Sequence, residues 1–559
     1  MVKMKCVKSC VKNMIQNDSI DEVLKVTGDI VKEAACQMKP KKGDVSESYT
    51  SDAILNAPDI FFQYMAQVFR SWLIHGTVSL NLLACAFLPL LKSSLKNPDD
   101  TSSYRAIAGS SLLLKLFDKV VLLIWGHLLA SDTLQFGYKE GTSTTQCSWL
   151  VLEVANHFIR DGTNPIMTLL DCSRAFDMCR FDILFTRLLE RRIPAIVIRT
   201  LIRVYEDQYA WVRWGRARSS LFSIVNGTRQ GSVLSPALFA VYIDGLLKEL
   251  RDLGVGCHVG DVFMGAVGFC DDILLLAPNR SAMAKMLTVC EKFAKDNNLQ
   301  FSTDPDPAKS KSKCIYMVGA KKTLKNPAPL QLNGKDLPWV KSANHLGHEL
   351  SQDGTMDSDI RMKRAIFIQR STEVRETFDF AHPVEILRAI KVYCCDFYGS
   401  MLMDMQGPVA AQLYNSWKTA VKLAWDVPRE TRTYFVDHLL SGGVVSARID
   451  ILARFSNFYK KLRLSSSNEV QILVGIVSRD IRTTTARNLS FIREESGLDA
   501  RDTSSKIRES LIERRMGVPD EDSWRIGYLS KLLEERQQLS YHGQDMTRVT
   551  ELIDALCIN

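Results

Sequence analysis

Apolar residues along this chain follow two different periods, and the change from one to the other outlines the fold. From about Pro58, the residues Phe61, Phe62, Met65, Val68 and Phe69 recur at helical spacing. A break at Lys96-Asn97-Pro98-Asp99-Asp100 precedes a second helix, predicted from Ser111 to about Leu129. Pro165 to Leu170 then reads as a buried strand that ends at Asp171. Phe181 to Arg192 returns to helical spacing with a basic end, which suits a helix C-terminus. Leu221 to Asn226 is a further strand candidate. Ser235-Pro236 opens a helix to about Arg251, with proline in the first turn, where its missing N–H costs nothing. Val262 to Phe269 and Ile273 to Leu276 form a hairpin around Cys270-Asp271-Asp272. Met283 to Asn297 is helical, Ser310 to Gly319 is a strand, and His345 to Leu350 suggests a short hairpin strand. The order strand, helix, strand pair, helix, strand is that of a ferredoxin-like split βαβ unit, an antiparallel sheet with helices on one face. From Asp357 to about Leu440, and again from about Ser446 to Asn559, the pattern is helical and charged. Residues 1–55 are polar, broken at Lys39-Pro40-Lys41-Lys42-Gly43, and read as a leader or linker.

Composition changes this picture little. The chain of 559 residues is too long for one compact domain. Its net charge of +8 is compatible with a nucleic-acid partner without demanding one. The 14 cysteines show no zinc-finger spacing and read as reduced thiols of an intracellular protein, cytoplasmic or nuclear. No apolar run is long enough to span a bilayer, and no membrane partner is expected.

The informative anomaly is Asp271-Asp272 inside the apolar run Gly268 to Leu276. Ionised carboxylates are seldom buried without a partner. Neighbouring strands would bring Asp171 beside them, and at ~4 Å each like-charged pair costs roughly 4 kcal/mol at an effective dielectric near 20. Such a trio asks for a cation, and oxygen donors favour a hard divalent ion such as Mg²⁺. Two further segments stand near in the expected fold. Asn226-Gly227-Thr228-Arg229-Gln230-Gly231 is a glycine loop that leads into the Ser235 helix, whose first N–H groups would face an anion. Asp171-Cys172-Ser173-Arg174-Ala175-Phe176 puts an aromatic five residues after the first aspartate.

These three segments resemble motifs A, B and C of reverse transcriptases, most closely those of non-LTR (LINE-type) retrotransposons. Flanking segments resemble the same family: Leu88 to Lys92 with Tyr104-Arg105-Ala106-Ile107, Gln135-Phe136-Gly137-Tyr138, Lys309 to Lys313, and His345-Leu346-Gly347-His348. Cys270 stands where the family usually has Ala, and Ala106 where it has Pro. The resemblance implies an α+β right-hand polymerase. Its parts would be fingers over 56–160, a ferredoxin-like palm over 161–356 with a fingers insertion near 195–225, and a helical thumb over 357–445. A helical C-terminal region would occupy 446–559. It implies an RNA-directed DNA polymerase with two Mg²⁺ ions, Mn²⁺ being the alternative, held by Asp171, Asp271 and Asp272. Lys92 and Arg105 would meet the triphosphate, Phe176 would exclude a ribose 2′-hydroxyl, and Gln230 and Gly231 would flank the nascent pair. Lys311, preferred over Lys309 and Lys313, would protonate pyrophosphate. Arg213, Arg216 and Arg218, interleaved with Trp211 and Trp214, are either template contacts or a solvated hairpin. The implied partners are an RNA template, a DNA primer and dNTPs. The endonuclease usual in such elements is expected to be absent or supplied by another protein. Two rivals to this expectation are a catalytically inactive nucleic-acid-binding remnant of a retroelement, and a polymerase that prefers DNA templates.

Overall fold

The structure is a computed structural model that describes residues 2–15, 20–93, 97–229, 231–304, 306, 309–319, 327–440, 444–516, 523–542 and 544–558. At its centre lies a four-stranded antiparallel sheet in the order Lys313–Tyr316, Ile166–Asp171, Asp272–Ala277, Ala266–Phe269. Ile166–Asp171 is buried until its last residue, so its apolar run has no alternation to show. Its register with Asp272–Ala277 sets Asp171 directly opposite Asp272. The Ser235–Asp252 helix packs on the Ala266–Phe269 edge strand, and the Arg280–Asp296 helix packs on Asp272–Ala277. Asn279 caps the second helix by accepting from Ala282 N–H at 2.9 Å.

Several elements differ from the sequence expectation. The strand expected over 262–269 splits into Val262–Phe263, paired with His258–Val259, and Ala266–Phe269. The split falls at Gly265, where a Cβ would lie 2.9 Å from Cys257 N and 3.0 Å from Leu276 O. The strands expected over 221–226 and 310–319 shrink to Phe222–Ser223 and Lys313–Tyr316. A second sheet joins Tyr104–Ser110, Ala84–Leu91 and Tyr209–Trp214, the last two running parallel, with Ala217–Arg218 and Phe222–Ser223 at its edges. The Thr144–Arg160 helix was not legible because every residue from Thr145 to Ala155 is buried, which leaves no polar stripe to mark the period.

The expected leader is overturned. Residues 1–55 contain helices at Val2–Ile15, Ile20–Leu24, Gly28–Cys36 and Ser51–Leu55. Val7, Val11, Val26, Val31 and Ala34 are buried in the common core. Val2–Ile15 packs on Ala195–Glu206 and Phe181–Glu190, and Gly28–Cys36 packs on Asp59–His75 and Leu112–Trp125. Asp44 accepts from Leu112 N–H at 2.7 Å, holding the start of that helix. The apolar side chains of this segment are small and separated by lysines, so its mean hydropathy hides a packing face.

From Asp357 onward the chain is helical: Asp357–Thr377, Pro383–Cys394, Pro408–Ala424 and Thr433–His438, then six helices between Ala447 and Ile558 among the described residues. Asn468–Val477 packs on Thr144–Arg160, and Thr133 donates to Glu469 at 2.6 Å, so the C-terminal helices join the body that carries the central sheet. No cysteine is disulfide-bonded. Among the described residues no helix is long and apolar enough to cross a membrane.

Candidate active site

A cavity of about 690 Å³ opens where the central sheet meets the second sheet. Lys92, Arg105, Asp171, Phe176, Asp271 and Lys311 all line it. Residues far apart in sequence, from both sheets and their loops, are thus collected on one surface. Gly231 is not among the lining residues, and Gln230 lies outside the described residues.

Asp271 reaches the cavity from a two-residue hairpin turn, Cys270-Asp271, between Phe269 and its partner Asp272. Cys270 has φ 60°, a left-handed backbone that is costly for a residue with a Cβ. A second segment holds that turn in place. Gln135 is fully buried. Its Oε1 accepts from Cys270 N–H at 2.8 Å and from Gly137 N–H at 2.9 Å, and its Nε2 donates to Cys270 O at 3.3 Å. Phe136 N–H donates to Gly268 O at 2.7 Å, and Gly268 N–H to Leu134 O at 2.9 Å. Gly137 lies so close that a Cβ there would sit 2.3 Å from Cys270 N. Sequence reasoning assigned Gln135 no role. The signal present was a lone amide between Leu134 and Phe136.

Electrostatics agree with a crowded acidic centre. Burial pushes the Asp272 carboxyl up to about 6, and the charges of Asp271 and Asp171 add to the rise. Burial also raises Asp271, helped by Asp171 and opposed by Arg105 and Lys311. Asp272 is not part of the cavity lining. Its charge instead acts on the buried Cys147 thiol, which burial already holds above its usual value. Lys311 Nζ stands 3.3 Å from Asp171 Oδ2. Lys309 pairs with Asp306 at 3.6 Å, and Lys313 lies within the sheet opposite Leu169.

Phe176 stacks on Phe239 with ring centres 4.6 Å apart and 25° between planes. Its carbonyl accepts from Thr228 N–H at 2.8 Å, and Gly227 N–H donates to Cys179 O at 2.8 Å, so the glycine loop is laced to the aromatic segment. Gly227 has φ 92°, and a Cβ there would meet the Asp177 backbone at 3.0 Å. At Gly231, φ 108°, a Cβ would lie 2.7 Å from Ala108 O. Behind the loop, Arg229 is buried over the Tyr205 ring at 5.6 Å, and Ser232 donates to Asp118 at 2.7 Å. The Ser235–Asp252 helix was expected to offer its N-terminus to an anion. Instead Ser235 is buried beside the Tyr205 hydroxyl, and the first turn takes no part in the cavity. Arg213 and Arg218 both face Glu47, and Arg218 lies over Trp211 at 5.9 Å.

Among the described residues, no three His, Cys, Asp or Glu side chains form a ready metal cage. The donor chemistry nevertheless fits a hard cation. Asp171 and Asp271 line one cavity with carboxylates, and the Lys311 ammonium pairs with Asp171 there.

A buried histidine pair lies on the Ser342–His345 and His348–Ser351 hairpin. His345 and His348 face each other in register, and His348 stacks on Tyr398 at 4.5 Å. Tyr398 donates to Leu346 O at 3.0 Å and also bonds to Thr144. Burial pushes His345 down to about 4. It pushes His348 down to about 3, with Lys363 and His345 adding to the fall. Each folded pKa is below the unfolded one, so the unfolded chain takes up protons first as pH falls from about 6.5. Stability is therefore lost on acidification, by about 2 kcal/mol per histidine between pH 6.5 and 5. Asp272, raised to about 6, acts in the opposite sense. Urea titrations of wild type and His348→Phe across that window isolate the histidine contribution. The wild type is expected to lose about 2 kcal/mol more than the variant, and parallel losses would contradict the assignment.

The site is thus a sheet edge with two carboxylates that share one cavity with basic side chains. Comparison with known proteins shows what part of the chain is similar to. Residues 94–350 match the reverse transcriptase (RNA-dependent DNA polymerase) family. It is 23% identical over 383 residues to the RNA-directed DNA polymerase from mobile element jockey of Drosophila funebris, covering 66% of this chain and 40% of that protein. It is 22% identical over 226 residues to a Pol polyprotein from retrotransposable element R2 of Nasonia vitripennis, covering 40% of this chain and 22% of that one. The chain thus spans less than half the length of these relatives. A solved telomerase from Candida albicans overlays 81% of this chain and 68% of its own at 12% identity with a TM-score of 0.38, too loose a match to bear on the fold.

Proposed function

We propose that this chain is an RNA-directed DNA polymerase of a non-LTR retrotransposon, extending a primer 3′-hydroxyl with dNTPs on an RNA template inside the cell. The observation that carries the reading is the single cavity shared by Asp171, Asp271, Lys92, Arg105 and Lys311. In this reading the central sheet and its helices, 161–356, are the palm. Residues 56–160 with the stretch near 195–225 are the fingers, 357–445 the thumb, and 446–559 a helical extension.

Asp171 and Asp271 would hold two Mg²⁺ ions, with Asp272 setting the charge around them. Bound there, such ions would lower the pKa of the attacking hydroxyl and neutralise the leaving pyrophosphate. The chain's own groups do the positioning. Lys92 and Arg105 hold the triphosphate across from the carboxylates. Lys311, beside Asp171, gives a proton to the departing pyrophosphate. Gly231, with Gln230 next to it, keeps the floor under the new base pair free of side chains. In-line attack on the α-phosphate then depends on alignment and charge.

Phe176 is the proposed gate against ribonucleotides. Phe176→Val is expected to raise rNTP use relative to dNTP by about tenfold or more, since removing ring bulk relieves a steric exclusion. An unchanged ratio in single-nucleotide incorporation removes Phe176 from that role. The reading as a whole is tested by primer extension on RNA and DNA templates of one sequence. Template-directed dNTP incorporation on RNA supports it. Tight RNA binding without incorporation under any divalent metal overturns it.

A further inference from the structure

A second cavity, lined chiefly by arginines, lies among the C-terminal helices. Four arginines from separate places converge on a cavity of about 580 Å³. Arg463 ends the Ala447–Arg463 helix, Arg479 follows the Asn468–Val477 helix, Arg493 lies on Thr484–Ser496, and Arg501 lies in the loop before Ser504–Met516. One carboxylate, Asp499, lines the cavity with them. It accepts from Arg501 Nε at 2.9 Å and Arg493 Nη2 at 3.1 Å. Those bonds, chiefly that from Arg501, hold its carboxyl well below the usual range, so it stays ionised and fixes two guanidinium groups in place. Arg463 and Arg479 form no ion pair among the described residues.

Like charges drawn together from four elements repel unless an anion joins them. The surrounding sequence repeats the imbalance: over 446–516, fourteen Lys and Arg stand against nine Asp and Glu, in a chain whose whole excess is +8. Planar guanidinium groups suit the paired oxygens of phosphate. We propose that this cavity binds the phosphodiester backbone of the RNA strand being copied, at a point separate from the Asp171 cavity, with which it shares no residue. That the strand is RNA rests on the polymerase reading. That the ligand is a phosphodiester rests on the arginines alone.

The test is fluorescence anisotropy with a labelled single-stranded RNA and a DNA of the same sequence, across a salt series. It compares wild type with Arg463→Gln/Arg479→Gln, which leaves the Asp499 cluster intact. Each phosphate contact in a single strand contributes about 0.7 to the slope of log affinity against log salt. Losing two is expected to flatten the RNA slope by about 1.4 and weaken binding about tenfold at moderate salt. Arg479→Gln alone, a single exposed change, is expected to give half that shift and guards against misfolding of the double variant. Equal loss for RNA and DNA supports a backbone site indifferent to the sugar, and loss for RNA alone supports one that also reads the 2′-hydroxyl. Unchanged RNA slopes, or loss confined to DNA, overturn the proposal. Binding needs no catalysis, so a wild type without primer extension would refute the polymerase reading and leave the anisotropy result to be judged by itself.

Discussion

Asp271→Asn is expected to lower primer extension by about 10³-fold or more while leaving the melting temperature at or above that of the wild type. The size follows from removing one of the two carboxylates that would hold the metal ions against the reacting phosphate. The sign of the stability effect follows from burial. Asp271 is held above its usual pKa, chiefly by desolvation, with Asp171 adding to the rise, so its charge is a burden on the folded state. An amide of the same shape removes that repulsion. Single-nucleotide incorporation and a thermal melt on the same preparation check both halves. Loss of activity accompanied by a large loss of stability would place Asp271 in the scaffold and not in the chemistry.

Gly137→Ala is the second large effect. The new Cβ would lie 2.3 Å from Cys270 N and 3.0 Å from Phe269 C and from Gln135 Oε1, and backbone cannot give way as a flexible side chain can. The turn that presents Asp271 must then move. Overpacking of this kind costs about 1–3 kcal/mol. A shift of about 1 Å at a reacting group costs about 10²-fold in rate. The expected result is a drop in kcat of about that size, with nucleic-acid affinity retained. Gly43→Ala is the control, since a Cβ there meets nothing within 4 Å. Normal kcat in Gly137→Ala would show that the Gln135–Gly137 segment does not govern the turn.

The acidic corner of the site was legible in the sequence because its signal is local. An apolar run ending in Asp171 and a second interrupted by Asp271-Asp272 pair in the register that sets Asp171 opposite Asp272. What supports that corner was not legible, for reasons that differ by residue. Gln135 acts through two hydrogen bonds to a backbone 135 residues away, and nothing in its neighbours marks that distance. Thr144–Arg160 hides its period by being buried on all sides. Val7 and Val11 lie among lysines whose charge outweighs them in any average, yet they pack the first helix onto Ala195–Glu206. The helix at Ser235 misled for the opposite reason. A free N-terminus is a local feature, but whether it faces a ligand or a tyrosine is decided by tertiary packing.

The most direct test of the central claim is extension of a DNA primer annealed to an RNA template, supplied with Mg²⁺ and each dNTP singly. The expected result is addition of the complementary nucleotide alone, abolished by chelation and by Asp271→Asn. Incorporation that ignores the template base, or that persists in Asp271→Asn, would contradict it.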